Sequence, residues 1–304
     1  MVSTGVPLDT ATIISTTLEG ILYGFSVLMF IGTMWASTYK PDVNRSIASV
    51  AILLLMLSTA HVVVDIIRLE DGLVKYRDTF PGGPAAFFQD ISQPTFVAKN
   101  LIYALQTMIG DGVVIYRCYV VWQSVWVIII PVILWCGSSA AALIAPYYAS
   151  QATGGTIYTN QTGRWITVLF ALTLSTNMIS SGLLAYRIWT IERNVSLIRA
   201  TNGTMMPIVR VLVDAAIMYS AALFTILMCF VCANNAEYIM LDMIMPIISI
   251  TFYMVFIRIT LRKTTPNYLP MIYGAGIDGR RDSQQYPMKP LQVHISRWTQ
   301  NDMD

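Results

Sequence analysis

Charge is what this chain of 304 residues has least of. Only 12% of its residues are Asp, Glu, Lys or Arg, about half the usual share for a soluble domain, and 55% are hydrophobic. That scarcity excludes a soluble globular fold, which would need a very large core with almost no surface to cover it. A net charge of +2 excludes a nucleic-acid-binding surface built on bulk electrostatics. Histidine is nearly absent too. His61 and His294 are the only two, so a multi-histidine metal site cannot be built, and no metal or cofactor is expected. The four cysteines, Cys118, Cys136, Cys229 and Cys232, all fall inside apolar stretches. No loop-bridging disulfide is available, and they read as small buried apolar residues.

What fills the chain instead is seven long apolar segments, at about 13–35, 47–67, 96–122, 125–148, 165–189, 208–233 and 238–257. About 20 apolar residues suffice for a helix to cross the hydrocarbon core of a bilayer. The segments lack the period-2 alternation of barrel strands and are too long for them. The expected fold class is therefore all-α, a seven-transmembrane helix bundle in the plasma membrane or an endomembrane. Residues 1–12 form a short N-terminus, 13–262 the membrane domain, and 263–304 a polar tail expected to be disordered. The first span is too long for the apolar core of a signal peptide and reads as an uncleaved signal-anchor.

Lys and Arg set the expected orientation. One face of the membrane receives Arg68, Lys75, Arg77, Lys99 and Arg164; the other receives the remaining fourteen of the 19 basic residues. The N-terminus is thus expected outside and the C-terminus in the cytoplasm. The sequon Asn160-Gln161-Thr162 falls in an outer loop on this threading and is a glycosylation candidate. Only Gln123 and Ser124 separate spans three and four, which makes those spans antiparallel neighbours. In the long outer loop, Pro81-Gly82-Gly83-Pro84 should stop any helix, and Phe87 and Phe88 should rest at the membrane interface. Arg258, Arg262 and Lys263 would favour anionic lipid of the inner leaflet.

Ionisable residues inside a span are costly and therefore informative, at about 2.5–3.5 kcal/mol each near the centre. Asp65, Lys99 and Asp242 lie close enough to the outer span ends to be read as wetted. Glu19, Asp111, Arg117, Asn177 and Asp214 are the ligand or switch candidates. Asp214 follows Arg210 by four residues, so a local ion pair is expected to neutralise it. Asp111 has no such local partner, because six residues turn Arg117 away from it, so its partner is expected from another helix. Tyr116, Tyr119 and Trp122 near one inner span end, and Tyr186, Arg187 and Trp189 at another, read as interfacial anchors.

Catalytic chemistry finds little support. Span seven holds no lysine for a retinal Schiff base. Gly137-Ser138-Ser139 lacks a base at its depth, and Met108-Ile109-Gly110-Asp111 has methionine where intramembrane aspartyl proteases carry a second glycine. Tyr116-Arg117-Cys118 lacks the acidic residue that precedes this arginine in the large G-protein-coupled receptor class. No catalytic residue is assigned, and the chain leans away from enzymes.

Asp111, Tyr116-Arg117-Cys118-Tyr119-Val120-Val121-Trp122, Pro131, Thr176-Asn177, Ala185-Tyr186-Arg187-Ile188-Trp189, and Pro246 before Arg258 form a distinctive set. On these residues the chain resembles a large family of seven-span integral membrane proteins from basidiomycete fungi. The likeness covers most of residues 13–262; at 245 this chain has methionine where members carry a small residue. It implies a fungal multi-pass fold and brings no ligand or reaction with it. The functional expectation is a receptor-like sensor of a small ligand with a cytoplasmic signalling partner. A secondary transporter or proton-coupled carrier, or a structural membrane adaptor, are the alternatives.

Overall fold

A computed structural model describes residues 7–38, 45–150, 160–196, 206–232 and 234–262. Among the described residues the regular structure is entirely helical: α1 Leu8–Thr38, α2 Arg45–Glu70, α3 Gly83–Gln89, α4 Pro94–Trp122, α5 Val125–Ser150, α6 Asn160–Ser196, α7 Met206–Val231 and α8 Ala236–Arg262. A π-helical turn, Asp71–Lys75, prolongs α2. The seven long helices pack as a closed ring in chain order, with α8 returning against α1. In addition, α4 touches α6 and α8, and α8 touches α2, so α4 and α8 form the centre.

Six of these helices are long and apolar enough to cross a membrane. The 29-residue α4 is long enough too, but Lys99, Asp111 and Arg117 interrupt its apolar composition. Packing is inverted relative to a soluble protein. The buried positions of α1 are Ala11, Ser15, Glu19, Ser26, Thr33 and Ala36. Its Ile21, Phe25, Leu28, Ile31 and Trp35 face outward. Small and polar residues inside with large apolar residues outside is the pattern of helices that associate within lipid. Trp126, 84% exposed, Ile130 and Ile133 continue that outer apolar surface on α5. The chain is therefore a multi-pass helical membrane protein in contact with the bilayer.

At one end of the bundle, the connection between α2 and α4 departs from expectation. Pro81-Gly82-Gly83-Pro84 starts a helix rather than only ending one. Gly82 and Gly83 take φ of 94° and 71°, and Pro84 occupies the first turn of α3, where its missing N–H costs nothing. Phe87 and Phe88 do not lie at a lipid interface; they are 2% and 1% exposed and turn back onto the protein. Phe87 packs on Tyr76 and Phe80. The backbone of Gly72 admits both rings, because a Cβ there would collide with Phe88 and approach Phe87 to 2.8 Å. Asp90 then closes the α3–α4 turn, accepting bonds from Ser92 N at 3.0 Å, Ser92 Oγ at 2.6 Å and Gln93 Nε2 at 3.0 Å. Partial burial pushes its carboxyl up, but these hydrogen bonds and the nearby Arg68 outweigh burial and hold it below the ordinary carboxylate range.

At the other end, α4 and α5 are joined through Gln123 and Ser124, as the spacing requires. Gln123 takes the left-handed conformation, φ 52°, with its backbone N–H bonded to Tyr119 O. The sequon asparagine Asn160 is the first residue of α6 rather than a loop residue, and Thr162 is buried. Cys118 is buried, but Cys136 and Cys232 are exposed, which corrects the reading of the cysteines as uniformly buried; all four are free thiols. The polar tail from 263 onward, Lys263 and the side chain of Arg262 lie outside the described residues, and Arg258 is exposed.

Candidate functional site

Two polar assemblies occupy the interior, one toward the α3 end and one toward the α4–α5 turn. The first joins four helices. Glu19 of α1 lies 2.6 Å from His61 Nδ1 of α2; His61 and Asp65, four residues apart, share one face of α2 at 3.4 Å. Lys99 of α4 then bridges Asp65 at 2.7 Å and Asp242 of α8 at 2.5 Å. All five residues are buried. Asp65, Lys99 and Asp242 are thus dry, contrary to the wetted position that their depth along each helix suggested. The convergence of four helix ends removes water, and the charges pair instead. A carboxylate oxygen 2.6 Å from an imidazole nitrogen requires one proton between them. Beside this group, Arg68 is fixed toward α3: its Nη2 donates to Phe88 O at 3.1 Å, and its guanidinium stands 5.0 Å from the Phe96 ring.

Below the ion network, Gln106 of α4 ties three helices together. Its Nε2 donates to Met245 O at 2.7 Å and reaches Ser249 Oγ at 3.1 Å and Ser58 Oγ at 3.2 Å, while the two serine hydroxyls are 3.0 Å apart. Pro246 follows Met245 and lacks an N–H, so the α8 backbone is locally short of one helical bond here. Lys99, Tyr103, Gln106, Thr107 and Asp111 are all buried positions of α4. They recur three or four residues apart, giving a polar stripe down the inner face of this helix.

The second assembly is a cavity of about 60 Å³, room for a few waters or a small ligand group. Asp111 and Arg117 of α4, Asn177 and Ser181 of α6, Tyr219 of α7 and Thr251 of α8 line it. Asp111 is 3% exposed and its Oδ2 has no hydrogen-bond partner. Arg117, half-buried, lies with its guanidinium 4.9 Å from the Phe252 ring. Among the described residues no ion pair joins it to Asp111, so an acid and a base face one small space without neutralising each other. Asn177 is held in place, donating to Ser220 Oγ at 2.8 Å and accepting from Ser181 Oγ at 3.2 Å.

The structure therefore brings together Asp111, Arg117 and Asn177, puts Glu19 in the other assembly, and leaves Asp214 out of both. Asp214 and Arg210 are exposed on α7, and no ion pair between them is present among the described residues. The expected cross-helix partner of Asp111 is likewise not found at Oδ2. The two aromatic–arginine pairs also diverge. Arg187 stacks 5.1 Å from Trp122, Trp122 stacks on Tyr186, and Trp122 Nε1 donates to Leu183 O at 3.0 Å. Tyr116, Tyr119, Tyr186 and Trp189 are exposed on the outer surface. Arg117, by contrast, turns inward to the cavity. Sequence reasoning missed Ser58, Gln106 and Ser249; the three-to-four spacing of polar residues along α4 was the available signal.

No family model matches the chain, and searches of curated proteins and of solved structures return no match either.

Proposed function

We propose that the chain is a seven-span membrane protein, N-terminus outside and C-terminus cytoplasmic, acting as a receptor-like sensor of a small polar ligand. Its resemblance to the basidiomycete family belongs to the same proposal. The observation that carries it is the cavity shared by Asp111, Arg117 and Asn177, where Asp111 Oδ2 has no partner and Arg117 no ion pair among the described residues. An intramembrane charge is expensive, so it persists where it binds, relays or switches. A ligand group held by Asp111 and Arg117 of α4 together with Asn177 of α6, Tyr219 of α7 and Thr251 of α8 would draw α4 against those helices and alter the packing at the α4–α5 turn end. On the proposed threading that end faces the cytoplasm, where a signalling partner would read it. The test is thermal unfolding of the detergent-purified protein across a panel of small polar compounds. At least one compound class should raise the midpoint saturably in the wild type and not in Asp111→Asn. A panel without a saturable shift, or one unchanged in Asp111→Asn, contradicts the reading.

A second reading, a proton-coupled carrier, is favoured by the Glu19–His61–Asp65–Lys99–Asp242 network and by the polar stripe from Lys99 to Asp111. Proton-driven uptake into proteoliposomes that collapses in Asp111→Asn would support it over the receptor.

A further inference from the structure

The network at the α3 end holds three donor groups that its ion pairs do not exhaust. We propose that Glu19, His61 and Asp65 form a binding site for a divalent transition metal ion of the zinc or cobalt class. One donor atom from each of the three lies within 4.8 Å of the other two, and the closer separations are 2.6 and 3.4 Å. Three ligands each about 2.0–2.2 Å from a tetrahedral ion stand roughly 3.4 Å from one another, so small side-chain adjustments accommodate one.

Of the three donor atoms at these separations, Asp65 Oδ2 is buried without a hydrogen-bond partner, and Glu19 Oε1 and His61 Nδ1 are bonded to each other through the one proton a metal would displace; the side chains are at most 2% exposed. Lys99 takes the other oxygen of Asp65 and holds it, leaving Oδ2 on the His61 side; supporting contacts of this kind orient metal ligands in general. Charge is compatible with a cation here: three carboxyl groups meet one ammonium in direct contact, with the Arg68 guanidinium, bonded to the Phe88 carbonyl, as the other cation nearby, so a metal would take the place of a proton among acids that outnumber the cations.

One imidazole and two carboxylates suit zinc-like ions, whereas calcium and magnesium favour all-oxygen shells with more ligands. A metal would replace the proton shared by Glu19 and His61, so binding releases protons and weakens in acid. The bound ion would clamp α1 to α2 at the opposite end of the bundle from the Asp111 cavity. It is thus independent of the sensor reading.

The experiment uses the full chain in nanodiscs, stripped with a chelator and titrated with Co²⁺ and then Zn²⁺. One equivalent should bind, Co²⁺ should give the visible bands of a tetrahedral nitrogen–oxygen shell without thiolate charge transfer, and Zn²⁺ should displace it. Glu19→Gln and His61→Gln should each weaken binding by at least the about 10–100-fold that losing a supporting contact costs, and Asp214→Asn should not. X-ray absorption of the zinc-loaded wild type should show one imidazole per ion, a readout that needs no variant to fold. No saturable binding at one equivalent, sulfur in the shell, or unchanged affinity in both glutamine variants overturns the proposal.

Discussion

Lys99 Nζ lies 2.7 Å from Asp65 Oδ1, with both side chains buried between helices whose sequence positions are 34 residues apart. The lysine also reaches Asp242, so a single ammonium group holds α2 and α8 against α4. Buried charges of this kind contribute little net stability while intact, because desolvation offsets attraction. They become costly when one partner goes.

Replacing Lys99 by methionine therefore strands two carboxylates. Lys99→Met should destabilise the protein by about 3–5 kcal/mol, read from unfolding in mixed micelles. Adding Asp242→Asn to that variant should recover part of the loss. A cost below about 1 kcal/mol for Lys99→Met would mean that water or another cation already neutralises the acids.

Gln106→Leu leaves the shape of the α4 core nearly intact but removes the donor to Met245 O. The expected cost is about 1–3 kcal/mol, measured by the same unfolding assay. Because Ser58 and Ser249 keep each other as partners, Ser58→Ala should cost less than Gln106→Leu.

The helices themselves were legible, because apolar runs of this length have few other uses. What the apolar runs could not convey is which faces meet. Lys99 and Asp242 sit near helix ends, and depth along each helix alone made them look wetted; only the convergence of α1, α2, α4 and α8 dries them. Asp214 failed for the opposite reason. Arg210 and Asp214 share one face of α7, but the apolar run around them does not say whether that face turns inward or to the surface. The Pro-Gly-Gly-Pro run signals a break in sequence, although a proline in the first turn after two left-handed glycines also starts a helix. Asp111, Arg117 and Asn177 were recognised singly as costly polar residues; their shared cavity depends on α6 packing against α4.

Docking of α3 rests on the absence of a side chain at Gly72. Gly72→Ala should displace Phe88 and Phe87, with an overpacking cost of about 1–3 kcal/mol. The clearest readout is limited proteolysis between Tyr76 and Gln93, which should quicken in the variant while the rest of the chain stays protected. Unchanged cleavage would show that the rings accommodate the methyl group.

The turn after α3 should be sensitive to acid. The folded state holds Asp90 below its ordinary range, so its contribution is complete above the unfolded value near 3.9 and is lost as pH falls through the lower folded value. Proteolysis of this connection by an acid-active protease should accelerate over that window in the wild type. Asp90→Asn should cleave faster at neutral pH and lose that acid-dependent acceleration.

The central claim is that α4, whose apolar composition Lys99, Asp111 and Arg117 interrupt, crosses the membrane as the polar-lined centre of seven spans. Single cysteines at Asp78 and Ser124, in a background with the four native cysteines replaced, bracket that helix. A membrane-impermeant maleimide applied to intact cells should label Asp78→Cys, and should label Ser124→Cys only after permeabilisation. Labelling of both positions from the same side would contradict the seven-span account.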